Sequence, residues 1–276
     1  MKLIAFGGDE RMQGALAAAR HAGHETAQIT SREQEMGGAD AVLLPWPQSF
    51  AGDALYGGSM SREEALARIP PCRAVLAGAG VRDEELPQCA RVVRPGEDEI
   101  FLLRNAVLTA EGAIFSAMQR MEGPIAGSCA LITGFGRIGR ALAQRLAAME
   151  AFVIVCARNE DQMRAAHAMG AHPVPLAEIA SACAQADFVM NTVPAHVLGA
   201  QALARLAGRA KVFELASPPY GMDVSCAVRM GVELVMESGV PGRYAPGAAG
   251  EALYDALMRG MDSRSAGDAE GGKADG

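Results

Sequence analysis

The chain has 276 residues, half of them hydrophobic and 21% charged, with a net charge of −7. That length allows one large or two ordinary domains, the apolar share supports packed cores, and the acidic balance excludes a general nucleic-acid partner. The six cysteines (Cys72, Cys89, Cys129, Cys156, Cys183 and Cys226) form no CxxC pair and no metal-ligand spacing, so no metal site and a reduced, cytoplasmic setting are expected. No signal peptide precedes the first apolar run, and no segment reads as approaching the ~20 apolar residues of a membrane span.

Lys2 to Phe6 reads as a strand, Gly7-Gly8-Asp9 as a turn, and Glu10 to Ala22 as an alanine-rich helix. Strands follow at Glu25–Ile29 and Asp40–Leu44, then a glycine- and serine-containing loop through Ser61. A short helix at Arg62–Ile69, a strand at Ala74–Ala77 and an edge strand at Val92-Val93 complete the first run. From Glu97 to Met121 the pattern turns helical, with Thr109 as the N-cap into Glu111–Arg120, and Gly123-Pro124 breaks the chain near a domain joint.

The second run is sharper. Ser128–Thr133 is a strand, Gly134 to Gly139 a turn, Arg140–Met149 a helix and Phe152–Cys156 a strand. Helices are expected at Asp161–Met169, Leu176–Ala184, Val197–Leu206 and Gly250–Gly260. Strands are expected at His172–Pro175, Phe188–Thr192, Lys211–Leu215 and Glu233–Met236. Alternating strands and helices imply parallel sheets.

Gly134-Phe135-Gly136-Arg137-Ile138-Gly139 has the GxGxxG spacing of a dinucleotide turn, between a strand and a helix. The first glycine makes the turn, the second lets the backbone approach a pyrophosphate, and the third packs the helix on the strand. An anion there would lie on a helix N-terminus. An NAD site usually places a carboxylate after the second strand, for the ribose 2′-OH. Here the strand ends Ala157-Arg158-Asn159, and Arg158 suits a 2′-phosphate. NADP(H) is therefore the expected cofactor, with NAD(H) as the alternative. Thr192, Val193 and Pro194 end a later strand on the same edge, and Ala216 and Ser217 another; all five are expected beside the cofactor. His196 reads as a surface loop histidine or a proton carrier.

The acid–base machinery of 2-hydroxy-acid dehydrogenases is missing. No histidine follows His196, and the strand ending Glu214-Leu215-Ala216-Ser217-Pro218-Pro219 brings no arginine. There is no HExxH, GxSxG or GxxxxGK[ST].

Several collinear segments resemble the A subunit of dipicolinate synthase. They are Gly7-Gly8-Asp9-Glu10-Arg11, Asn105 to Gly112, the Gly134 turn, Ala157-Arg158, Asn191 to Pro194, Glu214 to Pro219, and Gly239 to Pro246. The resemblance implies a sporulation enzyme of the mother-cell cytoplasm that oxidises a dihydrodipicolinate-type ring to pyridine-2,6-dicarboxylate with NADP. It also implies a partner, a flavoprotein-like B subunit, and it allows a homodimer. The family's late motif often continues Lys-Thr after Ala-Pro, where this chain has Gly247-Ala248; if that lysine holds a substrate carboxylate, another cation must do so here, with Arg243 the candidate.

The expected substrate groups are Gly7, Gly8, Arg11, Thr109, Glu111, Gly242 and Arg243, with Arg11 as a catalytic cation and Asp9 or Glu111 as general base. The expected architecture is α/β: two Rossmann-like domains with parallel sheets flanked by helices and a cleft between them. The divisions are 1–105 on the substrate side, 106–122 a connecting helix, 123–245 the NADP-binding domain, 246–261 a helix packing back, and 262–276 a disordered tail. The rival readings are a dehydrogenase of another imine or keto acid, and a non-catalytic NADP-binding subunit.

Overall fold

The computed structural model describes residues 1–262. The chain divides into two compact units, residues 1–104 with the segment from 246 onward, and residues 105–245.

The first unit begins with β1 (Lys2–Phe6), α1 (Glu10–His21), β2 (Glu25–Ile29) and β3 (Ala41–Leu43). The loop expected before Ser61 contains a small antiparallel ribbon, β4 (Phe50–Ala51) with β5 (Ala54–Leu55). Then come α2 (Arg62–Ala67), β6 (Ala74–Leu76) and β7 (Arg91–Val93). The main sheet is parallel, in the order β2-β1-β3-β6-β7. With the ribbon left out this is the 2-1-3-4-5 order of doubly wound folds. Successive residues of each strand serve opposite faces. Leu3, Leu43 and Leu76 join Met12 and Leu16 of α1, while Ile4, Val42 and Val75 join Leu55, Met60 and Ile69. Burial on both faces makes these strands near-continuous apolar runs.

Helix α3 (Glu99–Arg120) fills most of the helical stretch expected over Glu97–Met121, as one helix with no break at Thr109. Its start is set by Asp98, whose Oδ1 accepts from the backbone N–H groups of Ile100 and Phe101 at 2.9 and 3.1 Å. Thr109 is therefore no N-cap. It lies in mid-helix and its hydroxyl donates to the Asn105 carbonyl at 2.7 Å, four residues back. By length and hydropathy α3 also passes for a membrane span, contrary to the sequence reading; half of its most apolar window is buried within the protein.

The second unit holds β8 (Cys129–Thr133), α4 (Arg137–Ala148), β9 (Phe152–Ala157), α5 (Glu160–Ala168), β10 (His172–Pro175) and α6 (Ile179–Cys183). It continues with β11 (Phe188–Asn191), α7 (Ala200–Leu206), β12 (Lys211–Glu214), α8 (Val224–Arg229), β13 (Glu233–Met236) and α9 (Val240–Tyr244). Its six parallel strands run β10-β9-β8-β11-β12-β13, the 3-2-1-4-5-6 order of dinucleotide-binding sheets. Helix α7 starts three residues later than expected, because the N–H groups of Val197 and Leu198 both donate to the Gly221 carbonyl. Helix α4 starts three residues earlier, within the glycine turn.

The chain ends its described part with α10 (Pro246–Asp262), which belongs to the first unit. It starts four residues before the expected Gly250. It lies so close to α1 that a Cβ on Gly14 would stand 2.6 Å from the Pro246 carbonyl oxygen, and one on Gly250 2.2 Å from that of Arg11. Asp262 ends this helix; the rest of the tail expected over 262–276 lies outside the described residues.

Candidate functional site: a dinucleotide turn in the second unit

The three glycines of the second unit have three different surroundings. Gly134 sits at φ +83°, and a Cβ there would meet Val193 Cγ2 at 2.7 Å and Thr192 Oγ1 at 2.9 Å. A Cβ on Gly139 would stand 2.3 Å from the Gly134 carbonyl oxygen, so this glycine lets α4 seat on the turn. Around Gly136 there is open space: among the described residues no atom lies within 4 Å of an added Cβ. Gly136 is also the N-cap of α4 and makes no side-chain cap bond. An uncapped helix N-terminus, with room beside it for close backbone approach, fits a pyrophosphate.

Several expected cofactor residues converge on this turn. Thr192 Oγ1 donates to the Thr133 carbonyl at 2.7 Å, which draws Thr192-Val193 against Gly134. Gly134 N donates to the Cys156 carbonyl at 2.8 Å, which joins the turn to the end of β9. There Ala157 is buried, and Arg158 is exposed with no partner among the described residues. Pro194 and Ser217 are exposed, and Ala216 N donates to Glu214 Oε1 at 2.9 Å.

Two expected contacts are otherwise engaged. Asn159 caps α5, its Oδ1 accepting from Gln162 N at 2.8 Å. Phe135 is buried in the core, with the Arg140 guanidinium 5.4 Å from its ring. His196 is exposed and contacts the Pro219 carbonyl through Nε2 at 3.1 Å.

A polar row lies along the same edge; Glu214 and the Asn191 loop are expected beside the nicotinamide from the sequence, and Thr133 joins them. Thr133, Asn191 and Glu214 end β8, β11 and β12 in register and are all buried. The Thr133 hydroxyl donates to Asn191 Oδ1, and Asn191 Nδ2 donates to Glu214 Oε1 at 2.6 Å. Burial pushes the Glu214 carboxyl up from the usual carboxylate range, partly offset by the N–H donors of Gly221, Asn191 and Ala216. One signal was available: each of three apolar strands ends on a polar residue at its C-terminal end, where α/β sites lie.

The expected substrate groups fare less well. Gly7 N donates to the Ile29 carbonyl at 2.8 Å and Gly8 N to the Tyr56 carbonyl at 2.6 Å, so neither offers a free N–H. Arg11 is only 5% exposed and is bound to Asp9: Nη2 meets Oδ2 at 2.6 Å, and Nε reaches both carboxylate oxygens at 3.0 Å. Burial alone would push the Asp9 carboxyl up, but the hydrogen bonds and charge of Arg11 hold it below the usual range. Asp9 is thus a helix cap and a weak base. Glu111 is an exposed mid-helix residue whose Oε1 pairs with Arg145 at 3.0 Å. Gly242 N donates to the Gly239 carbonyl at 3.0 Å. Arg243 pairs with the buried carboxylate of Glu237, which also accepts from Ser116. Its charge is taken up within the protein, and it is no free cation. Within the second unit, α9 does come against α3: a Cβ on Gly112 would stand 2.4 Å from Val240 Cγ1, and Phe115 meets Tyr244 edge-on at 5.2 Å.

All six cysteines are free thiols. Burial pushes Cys156 and Cys183 up to about 12 and Cys72 to about 11, which leaves them inert as nucleophiles.

Comparison with known proteins agrees with this geometry. Residues 103–216 match the family described as D-isomer specific 2-hydroxyacid dehydrogenase, NAD binding domain. The A subunit of dipicolinate synthase from Bacillus subtilis (strain 168) is 27% identical over 230 residues, 80% of this chain and 77% of that protein. The solved structure of the dipicolinate synthase A subunit from Bacillus halodurans shares 27% identity and superposes with a TM-score of 0.79, covering 96% of this chain and 98% of that one. D-lactate dehydrogenase from Escherichia coli, 14% identical over 94% of this chain and 95% of that one, has a TM-score of 0.58 and shares the fold. Fold and turn together define a class: an NAD(P)-dependent oxidoreductase of the two-domain, Rossmann-like type. Within that class the chain resembles the A subunit of dipicolinate synthase, as the seven collinear segments implied.

Proposed function

We propose that this chain oxidises a dihydrodipicolinate-type dicarboxylate to pyridine-2,6-dicarboxylate during sporulation, in the mother-cell cytoplasm. The observation that carries this reading is the likeness to the A subunit of dipicolinate synthase, which extends over 96% of the chain in structure and 80% in sequence. The motifs of that likeness lie in both units, at Gly7, Thr109 and Gly239 as well as at Gly134. The name of the relative favours a second subunit, and we infer a flavoprotein-like partner.

Ring aromatisation removes a hydride and a proton from the substrate and supplies much of the driving force, so the protein has mainly to bind and orient. When bound, the dinucleotide supplies the hydride acceptor. Gly134 to Gly139 hold its pyrophosphate, with Thr192, Val193 and Pro194 and Ala216-Ser217 bordering the nicotinamide half. Arg158, exposed and unpaired among the described residues at the end of β9, favours NADP(H) over NAD(H) through the 2′-phosphate.

The test is an assay of the purified chain with dihydrodipicolinate and either dinucleotide, alone and with a flavoprotein-like partner. The expected result is reduced dinucleotide and pyridine-2,6-dicarboxylate in equal amounts, faster with NADP. No turnover under any of the four conditions sinks this reading. Turnover only with the partner present would favour the rival reading of a binding subunit.

A further inference from the structure

The carboxylate of Glu214 is 1% exposed, and every contact it makes is with an N–H donor. Asn191 Nδ2 and Ala216 N reach Oε1 at 2.6 and 2.9 Å, and Gly221 N reaches Oε2 at 2.9 Å. The orientation of the Asn191 amide is fixed independently, because its Oδ1 accepts from Val193 N at 3.3 Å and from the Thr133 hydroxyl. Both oxygens of Glu214 are thus used as acceptors, and three N–H donors aimed at one carboxyl favour the anion over the acid, against the opposing effect of burial. Among the described residues no cation contributes to its surroundings. A Cβ on Gly221 would stand 2.4 Å from Asn191 Nδ2, so the loop after β12 can close over the row only with glycine there. The outcome is a full negative charge held by neutral dipoles alone, at the C-terminal end of β12, where the low local dielectric leaves it poorly screened.

We propose that Glu214 biases the site toward the oxidised, cationic nicotinamide. This rests on the dinucleotide reading of the Gly134 turn. In the 3-2-1-4-5-6 sheet the adenine ribose belongs to the end of the second strand, here β9, so the nicotinamide half belongs to β11, β12 and β13. The oxidised ring carries one positive charge and the reduced ring none, so a fixed anion at the end of β12 stabilises only the former. For two unit charges about 10 Å apart at an effective dielectric near 20, the attraction is worth on the order of tenfold in a dissociation constant. Glu214 acts here as a positioning residue for charge and loop geometry, with no proton transfer assigned to it. The site so arranged takes up the hydride acceptor and releases the reduced form readily.

Titration calorimetry of the full chain with NADP⁺, NADPH and 2′-phospho-ADP-ribose tests this, with the NAD⁺, NADH and ADP-ribose series in parallel. The native chain should bind the oxidised form at least as tightly as the reduced one. Glu214→Gln should weaken the oxidised form about tenfold and leave the reduced form and the nicotinamide-free probe within about twofold. An equal loss for all three probes overturns the proposal and leaves Glu214 a scaffold residue. Tighter binding of the reduced form by about tenfold or more in the native chain also overturns it, and needs no variant to fold. If the native chain binds none of the probes, the dinucleotide reading fails and takes this proposal with it.

Discussion

The two units begin alike and use their first turns in opposite ways. In both, a buried strand enters a glycine turn that opens a helix: Gly7-Gly8-Asp9 before α1 and Gly134-Phe135-Gly136 before α4. In the first unit the turn is filled by the chain itself. A Cβ on Gly57 would stand 2.2 Å from the Gly8 carbonyl oxygen, the amides of Gly7 and Gly8 are taken by Ile29 and Tyr56, and an aspartate caps the helix. In the second unit the helix start carries no side-chain cap and Gly136 faces open space. The same local architecture is therefore a packing device in one place and is free to serve as an anion cradle in the other. Glycine content does not separate them; the state of the helix N-terminus does.

The largest expected effect separates the turns directly. Gly136 has φ −78°, which any residue adopts, and an added Cβ meets nothing among the described residues. Gly136→Asp should cost at least about 100-fold in dinucleotide affinity by calorimetry while shifting the melting temperature by no more than about 2 °C, because the new carboxylate occupies and repels the anion position. The counterpart change should do the reverse. Gly7 sits at φ +52°, and its Cβ would stand 2.4 Å from the Tyr56 carbonyl oxygen. Gly7→Ala should destabilise the protein by roughly 2–3 kcal/mol in urea unfolding and leave dinucleotide affinity within about twofold.

A smaller effect concerns the cofactor's ribose. Arg158→Asp should lower the preference for NADP⁺ over NAD⁺ by about tenfold, mostly through loss of the 2′-phosphate contact. An unchanged ratio of the two dissociation constants would mean that Arg158 does not read the ribose.

The smallest effect is a difference in pH response between the units. In the first unit, hydrogen bonds from Arg62 and from the Arg82 backbone hold the Glu85 carboxyl down to about 2. A depressed folded pKa adds stability that is present above the unfolded carboxylate range and is lost as pH falls through about 2. In the second unit burial raises Glu214, so its folding contribution improves as pH falls. Between about pH 5 and pH 3, Glu85→Gln should flatten the acid loss of stability, by no more than about 1 kcal/mol for a pair this close to the surface. Glu214→Gln should steepen it. Melting curves of both variants across that range check the opposite signs.

What could be read from the residues follows a physical division. Strands buried on both faces announce themselves as apolar runs, and the geometry of the Gly134 turn could be read because its glycines are contiguous in sequence. Misreadings arise where a distant segment decides the outcome. Thr109 looks like a helix cap, yet α3 runs through it because Asp98 caps the helix earlier, and Gly112 makes room for Val240 and Tyr244. Gly7 and Gly8 look like an anion site until the loop some fifty residues on supplies Tyr56. Arg243 looks free until Glu237 is placed beside it by the turn after β13. The Thr133–Asn191–Glu214 row depends on strand register, which a single sequence does not state, although each member marks the end of its strand.

The central claim is that one of the two turns, the second, holds the dinucleotide. Titration of the full chain with NADP⁺ tests it most directly, with the native protein, Gly136→Asp and Gly7→Ala side by side. One site per chain, displaced by 2′-phospho-ADP-ribose, abolished by Gly136→Asp and retained in folded Gly7→Ala, is the predicted result. Binding that survives Gly136→Asp, or a second site lost with Gly7→Ala, would contradict it.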